Sequence, residues 1–258
     1  MNINAAPELI AGFLLALVRA SAFLTLAPPF STRTIPSKVK VGFAFALALA
    51  AAPHLQDQDI PVRDTAAFIG VIALQVFAGV LLGFLAMLVL SSVQAAGSLI
   101  DLFGGFTMDS AYDPLSNAQS SVFGRFHQLM ATTLLFVIDG HLILVRGFLA
   151  SFEAVPAEEI LWNDLARLVT KDVGVFFLAA CEMAGPLVGV MFVSEVALGM
   201  LSKAAPQMNV FQLGFPLKIF LTLLLIGGTF TAMPEALGAL VENVLRSWGA
   251  AMRMLPGG

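Results

Sequence analysis

Long apolar stretches, separated by short polar segments, are the feature that most constrains the fold of this sequence. More than half of the 258 residues lie in six of them, which cover 9–30, 41–55, 66–93, 122–150, 173–201 and 208–233. A helix needs about 20 apolar residues to cross a bilayer, and most of these stretches reach that length. Only 12% of residues are charged, against about 25% in soluble domains. The sequence therefore predicts an all-α integral membrane protein and excludes a soluble enzyme or a disordered chain.

Two of the stretches do not fit a regular bundle of spans. The stretch 41–55 is shorter than a span requires, so we expect a short, re-entrant or protein-buried helix there. The stretch 66–93 is longer than a span requires, which predicts a helix that is tilted or extends beyond the bilayer. Within it, Gly79 and Gly83 form a GxxxG motif, which indicates either close helix packing or simply small residues facing lipid.

The charged residues outside the apolar stretches give a partial topology. Arg33, Lys38 and Lys40 form the densest basic cluster, and the positive-inside rule places this loop at the cytoplasmic face and the N-terminus outside. The segment 94–121 has no Lys or Arg, although simple alternation of the spans would also put it in the cytoplasm. Simple threading back and forth is therefore doubtful. A single membrane domain over 1–258 is predicted, whose first stretch is retained because Met1–Glu8 lacks the basic residues of a cleaved signal peptide.

Breaks in the later stretches predict where helices end. Asp139-Gly140-His141 interrupts 122–150, and Ala205-Pro206 indicates a tight turn that joins 173–201 and 208–233 into a helical hairpin. The stretch 236–255 is predicted to be an interfacial amphipathic helix. Its apolar face would carry Leu237, Leu240, Val241, Val244, Leu245 and Trp248, with Glu242, Arg246 and Arg253 elsewhere.

Motifs of catalysis, cofactor binding and metal binding are absent from usable positions. The lone cysteine, Cys181, excludes an intramolecular disulfide, and the three histidines have no common spacing. Tyr112-Asp113 is similar to the tyrosine-aspartate pair of intramembrane aspartyl proteases, but that chemistry needs a second intramembrane aspartate. Asp113-Pro114 is instead a common start of a turn. We expect neither an enzyme nor a cofactor, and the net charge of -4 argues against nucleic acid as a partner.

Charged residues inside the apolar stretches are candidate functional residues, because each is costly in lipid unless it is paired or hydrated. They are Arg19, Asp139, Glu182, Glu195 and Lys218. They could line an ion or substrate pathway, or they could pair between helices, as Glu195 and Lys218 would across the predicted hairpin. An ion-coupled small-molecule transporter therefore remains an alternative at this point, although no inverted repeat supports it.

Several short motifs, spread in order over nearly the whole chain, together resemble one family. They include Ala27-Pro28-Pro29-Phe30, Gly97-Ser98-Leu99-Ile100-Asp101, Asp139-Gly140-His141-Leu142 and Ala205-Pro206-Gln207-Met208-Asn209-Val210-Phe211-Gln212-Leu213-Gly214-Phe215-Pro216-Leu217-Lys218. This set resembles the FliR family of flagellar biosynthesis proteins and their counterparts in virulence-type type III secretion. The motif Leu213–Leu217 is more similar to the flagellar branch.

The resemblance implies a structural and gating subunit of the flagellar type III protein export gate, in the bacterial inner membrane at the flagellar basal body, with part of it on the periplasmic side of the bilayer core. FliP, FliQ and FlhB would be its partners, together with unfolded flagellar export substrates and membrane lipid. A FliP-like part over about 1–184 would precede a FliQ-like hairpin over about 185–258.

The resemblance also implies roles for individual residues. Residues 104–121 would form a plug in the lumen, with the positions Gly105, Phe106, Met108, Tyr112, Asp113 and Pro114. Subunit interfaces or buried charges would involve Arg19, Glu182, Glu195, Phe211, Pro216 and Lys218. The basic loop of Arg33, Lys38 and Lys40 would lie at the membrane face or contact other export components.

Overall fold

Helices form the regular structure of the protein in a computed structural model, which describes residues 5–32, 34–55, 61, 64–106, 121–153, 160–207 and 209–255. In these ranges they are α1 (Ala5–Leu26), α2 (Ser37–Ala51), a short 3-10 helix (Ala52–Leu55), α3 (Thr65–Gly104), α4 (Val122–Val137), α5 (Gly140–Ala150), α6 (Trp162–Ala204) and α7 (Val210–Met252). The described residues contain no strand. The prediction of an all-α protein is confirmed.

Four of these helices are long and apolar enough to cross a membrane, namely α1, α3, α6 and α7. A fifth span is possible if α4 and α5, which are separated by a short break, are counted as one. At 1.5 Å per residue, the 40 residues of α3 measure about 60 Å, twice the ~30 Å of a hydrocarbon core. The overlong helix predicted at 66–93 is confirmed, and it is longer still. The short helix predicted within 41–55 is α2, with 15 residues.

Helix ends coincide with the residues that the sequence marks as breakers. The α1 helix ends shortly before Pro28-Pro29, whose peptide bond is cis. The α4 helix ends before Asp139, which has a left-handed backbone with φ of 55°, a conformation that few residues other than glycine adopt. The turn after Ala204 contains Pro206 and separates α6 from α7. The predicted break in 122–150 and the predicted turn of the hairpin are both confirmed.

The C-terminal stretch differs from its prediction as a separate helix. Residues up to Met252 continue α7 without a break, although Pro234 lies inside the helix. A proline removes one backbone hydrogen bond, and long apolar helices tolerate this loss. The predicted polarity is nevertheless confirmed: Glu242, Arg246 and Arg253 are exposed, whereas the opposite face is buried inside the protein at Leu237, Leu240, Val241, Val244 and Trp248.

The chain divides into two compact units. The first comprises residues 1–89, 139–173 and 240–258. In its core the ring of Phe23 stacks on Phe148, with centroids 4.6 Å apart, and meets Trp248 edge to face at 5.6 Å. These rings come from α1, α5 and α7, so residues distant in sequence form one aromatic core.

The second unit comprises residues 90–138 and 174–239. Its core contains small and medium apolar side chains from the end of α3 and the middle of α6, which are Ala96, Ile100, Ala180, Ala184, Leu187 and Met191. At Gly97 an added Cβ would collide with the backbone of α4 at Phe123 and Gly124. This glycine therefore allows the end of α3 and the start of α4 to touch directly.

Candidate functional site

Arg19 is the most enclosed charged side chain among the predicted site residues, with 9% of its surface exposed. Its Nε donates to Oε1 of Gln75 at 2.6 Å, and its Nη1 donates to the carbonyl oxygen and to Oγ of Ser151 at 3.2 and 3.3 Å. The guanidinium carbon lies 4.0 Å from the ring centroid of Phe152. Within the described residues Arg19 forms no ion pair. Neutral oxygens and an aromatic face therefore stabilise this cation, which joins α1, α3 and the end of α5.

Glu195 and Lys218 do pair between the two arms of the hairpin. Nζ of Lys218 lies 3.0 Å from Oε1 of Glu195, which joins α6 to α7. The side chains are 20% and 61% exposed for Lys218 and Glu195 respectively. The pairing expected between these two residues is confirmed, and it gives both charges a structural role within the second unit.

We expect this pair to show measurable coupling in a double-mutant cycle. Replacing Glu195 by Gln or Lys218 by Met removes one charge and leaves the other unpaired in an apolar setting, so the losses of the two single variants should sum to more than the loss of the double variant. Contacting charged residues couple by about 0.5–3 kcal/mol, which unfolding in detergent can resolve. Glu182→Gln is the matched control on α6 and should show no coupling to Lys218→Met. Additive effects of Glu195→Gln and Lys218→Met would contradict the prediction.

Glu182 and Asp139, the other two intramembrane acids of the sequence analysis, are exposed and form no ion pair with any residue in the described ranges. Glu182 lies in the middle of α6, far from either end of the helix. Asp139 lies at the break before α5 and makes no side-chain cap there. Glu182 is therefore a carboxylate on an apolar helix surface with no cation beside it in this part of the chain.

The loop predicted as a plug is described only at its two ends. Gly105 follows α3 with φ of 85°, and the amide of Phe106 donates to the carbonyl oxygen of Asp101 at 3.0 Å. This is the geometry in which a glycine with a left-handed backbone terminates a helix. Phe106 then packs edge to face on Phe123 of α4, with centroids 5.0 Å apart. The remaining predicted plug positions, Met108, Tyr112, Asp113 and Pro114, lie outside the described residues.

The carboxylate of Asp101 connects these two ends. Its Oδ2 accepts hydrogen bonds from the hydroxyl of Ser121, from the amide of Phe123 at 3.0 Å and from the amide of Gly124 at 3.4 Å. Asp101 is 1% exposed, and its Oδ1 has no hydrogen-bond partner among the described residues. We call Asp101, Phe106, Ser121, Phe123 and Gly124 the α3–α4 clasp.

The remaining predicted site residues lie in different surroundings. Lys38 is exposed and Lys40 half-buried in the first turn of α2, whereas Arg33 lies outside the described residues. Pro216 is exposed inside α7, and Phe211 lies in its first turn, where the backbone alone is described. No group of His, Cys, Asp and Glu that could hold a metal ion occurs in the described ranges.

Gln75, Ser151 and Asp101 were not among the predicted site residues. Gln75 and Ser151 are 56 and 132 residues from Arg19, so no local pattern connects them. Asp101 offered a signal, because an acidic residue in the last turn of a helix is unfavourable beside the helix dipole unless something else requires it. Here the amides at the N-terminus of α4 are that requirement.

The arms of the hairpin leave most of their apolar surface uncovered. In the most apolar 18 residues of each helix, only 11% of the residues in α7 and 28% of those in α6 are buried, against 44% in α1 and in α3. Large exposed side chains on these arms include Phe177, Leu178, Phe192, Val193, Met200, Phe220 and Leu224. Lipid or other proteins must cover such a surface. The fold therefore defines a helical membrane protein with a large uncovered apolar surface on its hairpin.

Comparison with known proteins gives the family within this class. Residues 10–244 match the family described as bacterial export proteins, family 1. The chain is 30% identical over 227 residues to the flagellar biosynthetic protein FliR of Bacillus subtilis, which covers 86% of this chain and 87% of that protein. It is 32% identical over 204 residues to FliR of Escherichia coli, and the aligned residues cover 79% of this chain and 78% of that protein. The chain belongs to bacterial export proteins, family 1, and its predicted resemblance to the FliR family is confirmed.

A relative with a different name is also similar. The surface presentation of antigens protein SpaR of Shigella sonnei is 28% identical over 155 residues, which cover 59% of each chain. The identity to the two FliR proteins is slightly higher and extends over more of the chain.

Proposed function

We propose that this protein is a structural and gating subunit of the flagellar type III export gate, part of the conduit for unfolded flagellar proteins across the inner membrane at the basal body. The family match over residues 10–244 carries this proposal. The uncovered apolar surface of α6 and α7 supports it, because a subunit of a larger membrane assembly must leave surface for its neighbours. A conduit for unfolded chains needs walls and a closure rather than a catalyst.

One face of α6 supports contact with other helical subunits, which we propose to be FliP and FliQ, with FlhB as a further partner. Leu178, Glu182, Gly185 and Gly189 recur at spacings of three and four and are all exposed, so they share this face. A Cβ at Gly185 or Gly189 would meet nothing within 4 Å, which leaves room for a neighbouring helix to approach closely. A cation from that helix would compensate Glu182.

The segment 104–121 is proposed to be the lumen plug, on the strength of the family resemblance and of its flanks. Both flanks meet at the α3–α4 clasp, so the segment leaves and rejoins the helices at one place. A FliP-like part over about 1–184 and a FliQ-like hairpin over about 185–258 belong to the same proposal.

Purification of the assembled complex tests the proposed function. Tagged protein expressed with FliP and FliQ should be extracted as a complex of all three, and the purified complex in planar bilayers should be closed to ions. Replacing 107–120 by a Gly/Ser linker of equal length should leave the complex intact and make it conduct. Glu242→Ala, which changes an exposed residue near the end of α7, is the matched control and should stay closed.

Two results would contradict the proposal. Extraction as a lone, monodisperse protein in the presence of both partners would exclude a gate subunit. An intact complex that stays closed after the linker replacement would exclude the plug. The alternative of an ion-coupled transporter predicts transport by the isolated protein that depends on Glu182, Glu195 or Lys218, and the ion pair of the latter two already gives them a structural role.

A further inference from the structure

The α3–α4 clasp is a buried polar cluster to which the proposed function assigns no role of its own. Three donors from the start of α4 converge on one oxygen of Asp101, and the carbonyl of the same residue receives the amide of Phe106 at the end of α3. Asp101 thus binds both Phe106, just before residues 107–120, and Ser121 and Phe123, just after them. A buried carboxylate is costly unless donors compensate it, and here three donors do so at Oδ2.

Small residues make this convergence possible. Gly97 allows the backbones of α3 and α4 to touch, and a Cβ at Gly124 would lie 2.7 Å from Oγ of Ser98. Ser121 caps α4 by accepting from the amide of Gly124 at 2.7 Å while its hydroxyl donates to Asp101. The amide of Phe123 has no such second acceptor in the described residues, so it depends on Asp101 alone.

We propose that Asp101 is the positioning residue of this junction: its carboxylate fixes the start of α4 to the end of α3 and so sets the two points between which residues 107–120 are held. The functional consequence rests on the proposed export gate, because a closure is held in register only if its two ends are fixed. The hydrogen-bonding role of Asp101 does not depend on that proposal.

The bonding pattern makes the effect of two substitutions different. Asp101→Ala removes the acceptor of the Ser121 hydroxyl and of the Phe123 amide, whereas the amide of Gly124 keeps its bond to Oγ of Ser121. Asp101→Asn keeps one oxygen, and its amide group can take the place of Oδ1, which no described donor faces. Asparagine should therefore rescue the clasp although it removes the charge. Glu242→Ala, the loss of an exposed carboxylate, is the control for a change of net charge.

Hydrogen exchange of the assembled complex tests the clasp itself. In Asp101→Ala the amide of Phe123 should exchange about tenfold faster or more, because its hydrogen bond is lost. The amide of Phe106 should keep its protection, since it donates to a backbone carbonyl that the substitution leaves in place. Asp101→Asn and Glu242→Ala should match the wild type at both amides. Unchanged protection of Phe123 in Asp101→Ala would overturn the proposal.

Ion conductance of the same complexes tests the consequence. If the linker replacement of 107–120 conducts, Asp101→Ala should conduct as well, and Asp101→Asn should stay closed. A conducting linker variant beside a closed Asp101→Ala complex would overturn the inference and leave the proposed function standing. A closed linker variant would overturn the proposed plug, and the exchange of Phe123 would then decide the role of Asp101 without it.

Discussion

Replacing Gly83 by leucine is expected to lower the free energy of unfolding by about 3 kcal/mol or more, because the α1 and α3 helices touch at this position. A Cβ there would lie 2.9 Å from the carbonyl oxygen of Phe23 and 2.9 Å from Cβ of Leu26. Backbone atoms cannot move aside as a flexible side chain can, so the two helices would have to separate. Unfolding in detergent, followed by circular dichroism or by protease sensitivity, measures the loss.

The contact between α1 and α3 also brings Gln75 within hydrogen-bonding distance of Arg19. Gly79, one turn earlier in α3, would bring a Cβ against the carbonyl oxygen of Arg19 and 2.8 Å from Cβ of Ala22. Gln75 lies one further turn back and accepts the hydrogen bond of Arg19. Separation of α1 and α3 would therefore also break the bond between Gln75 and Arg19, which adds to the expected loss.

Gly70 provides the matched control on the same helix. It is exposed, and a Cβ there would meet nothing within 4 Å. Gly70→Leu should leave the stability of the isolated protein unchanged or raise it slightly, since leucine favours a helix more than glycine does by roughly half a kcal/mol or more. Equal losses of stability for Gly70→Leu and Gly83→Leu would contradict the prediction, because they would show that α1 and α3 do not pack closely at Gly83.

The sequence predicted the helices and their ends because these depend on local chemistry. Apolar runs predict long helices in a membrane, and the breaks at Pro28-Pro29, Asp139-Gly140 and Ala205-Pro206 follow from backbone preferences of single residues. The pair of Glu195 and Lys218 was also predictable, since a hairpin brings its two arms together and opposite charges in an apolar setting stabilise each other.

Features that depend on distant residues were not predictable in the same way. The motif of Gly79 and Gly83 allowed two interpretations, and only the position of α1 decides between them. The clasp needs the side chain of Asp101 and the N-terminus of α4 in one place, across a segment of the chain in which no helical pattern guides the prediction. Residues 236–255 form an amphipathic pattern that is equally typical of an interfacial helix and of the buried end of a longer one.

Arg19→Met is expected to be as damaging as the change at Gly83, for an electrostatic rather than a steric reason. The substitution keeps an unbranched side chain of similar length but removes every donor. The oxygen of Gln75, which is 1% exposed, and the acceptors of Ser151 would lose the hydrogen bonds that Arg19 gives them. Hydrogen bonds to charged groups contribute about 1.5–3 kcal/mol each, and a buried unpaired acceptor adds a desolvation cost, so a loss of about 3 kcal/mol or more is expected in detergent unfolding.

A second substitution tests whether the lost hydrogen bonds explain the loss of stability. Arg19→Met combined with Gln75→Leu should recover part of the stability lost in Arg19→Met, because the buried acceptor on α3 is then absent as well. Arg246→Met, an exposed change on α7, is the control and should cost less than about 0.5 kcal/mol. If the double variant is less stable than Arg19→Met, or if Arg19→Met and Arg246→Met behave alike, the bonds to Gln75 and Ser151 do not hold α1, α3 and the end of α5 together.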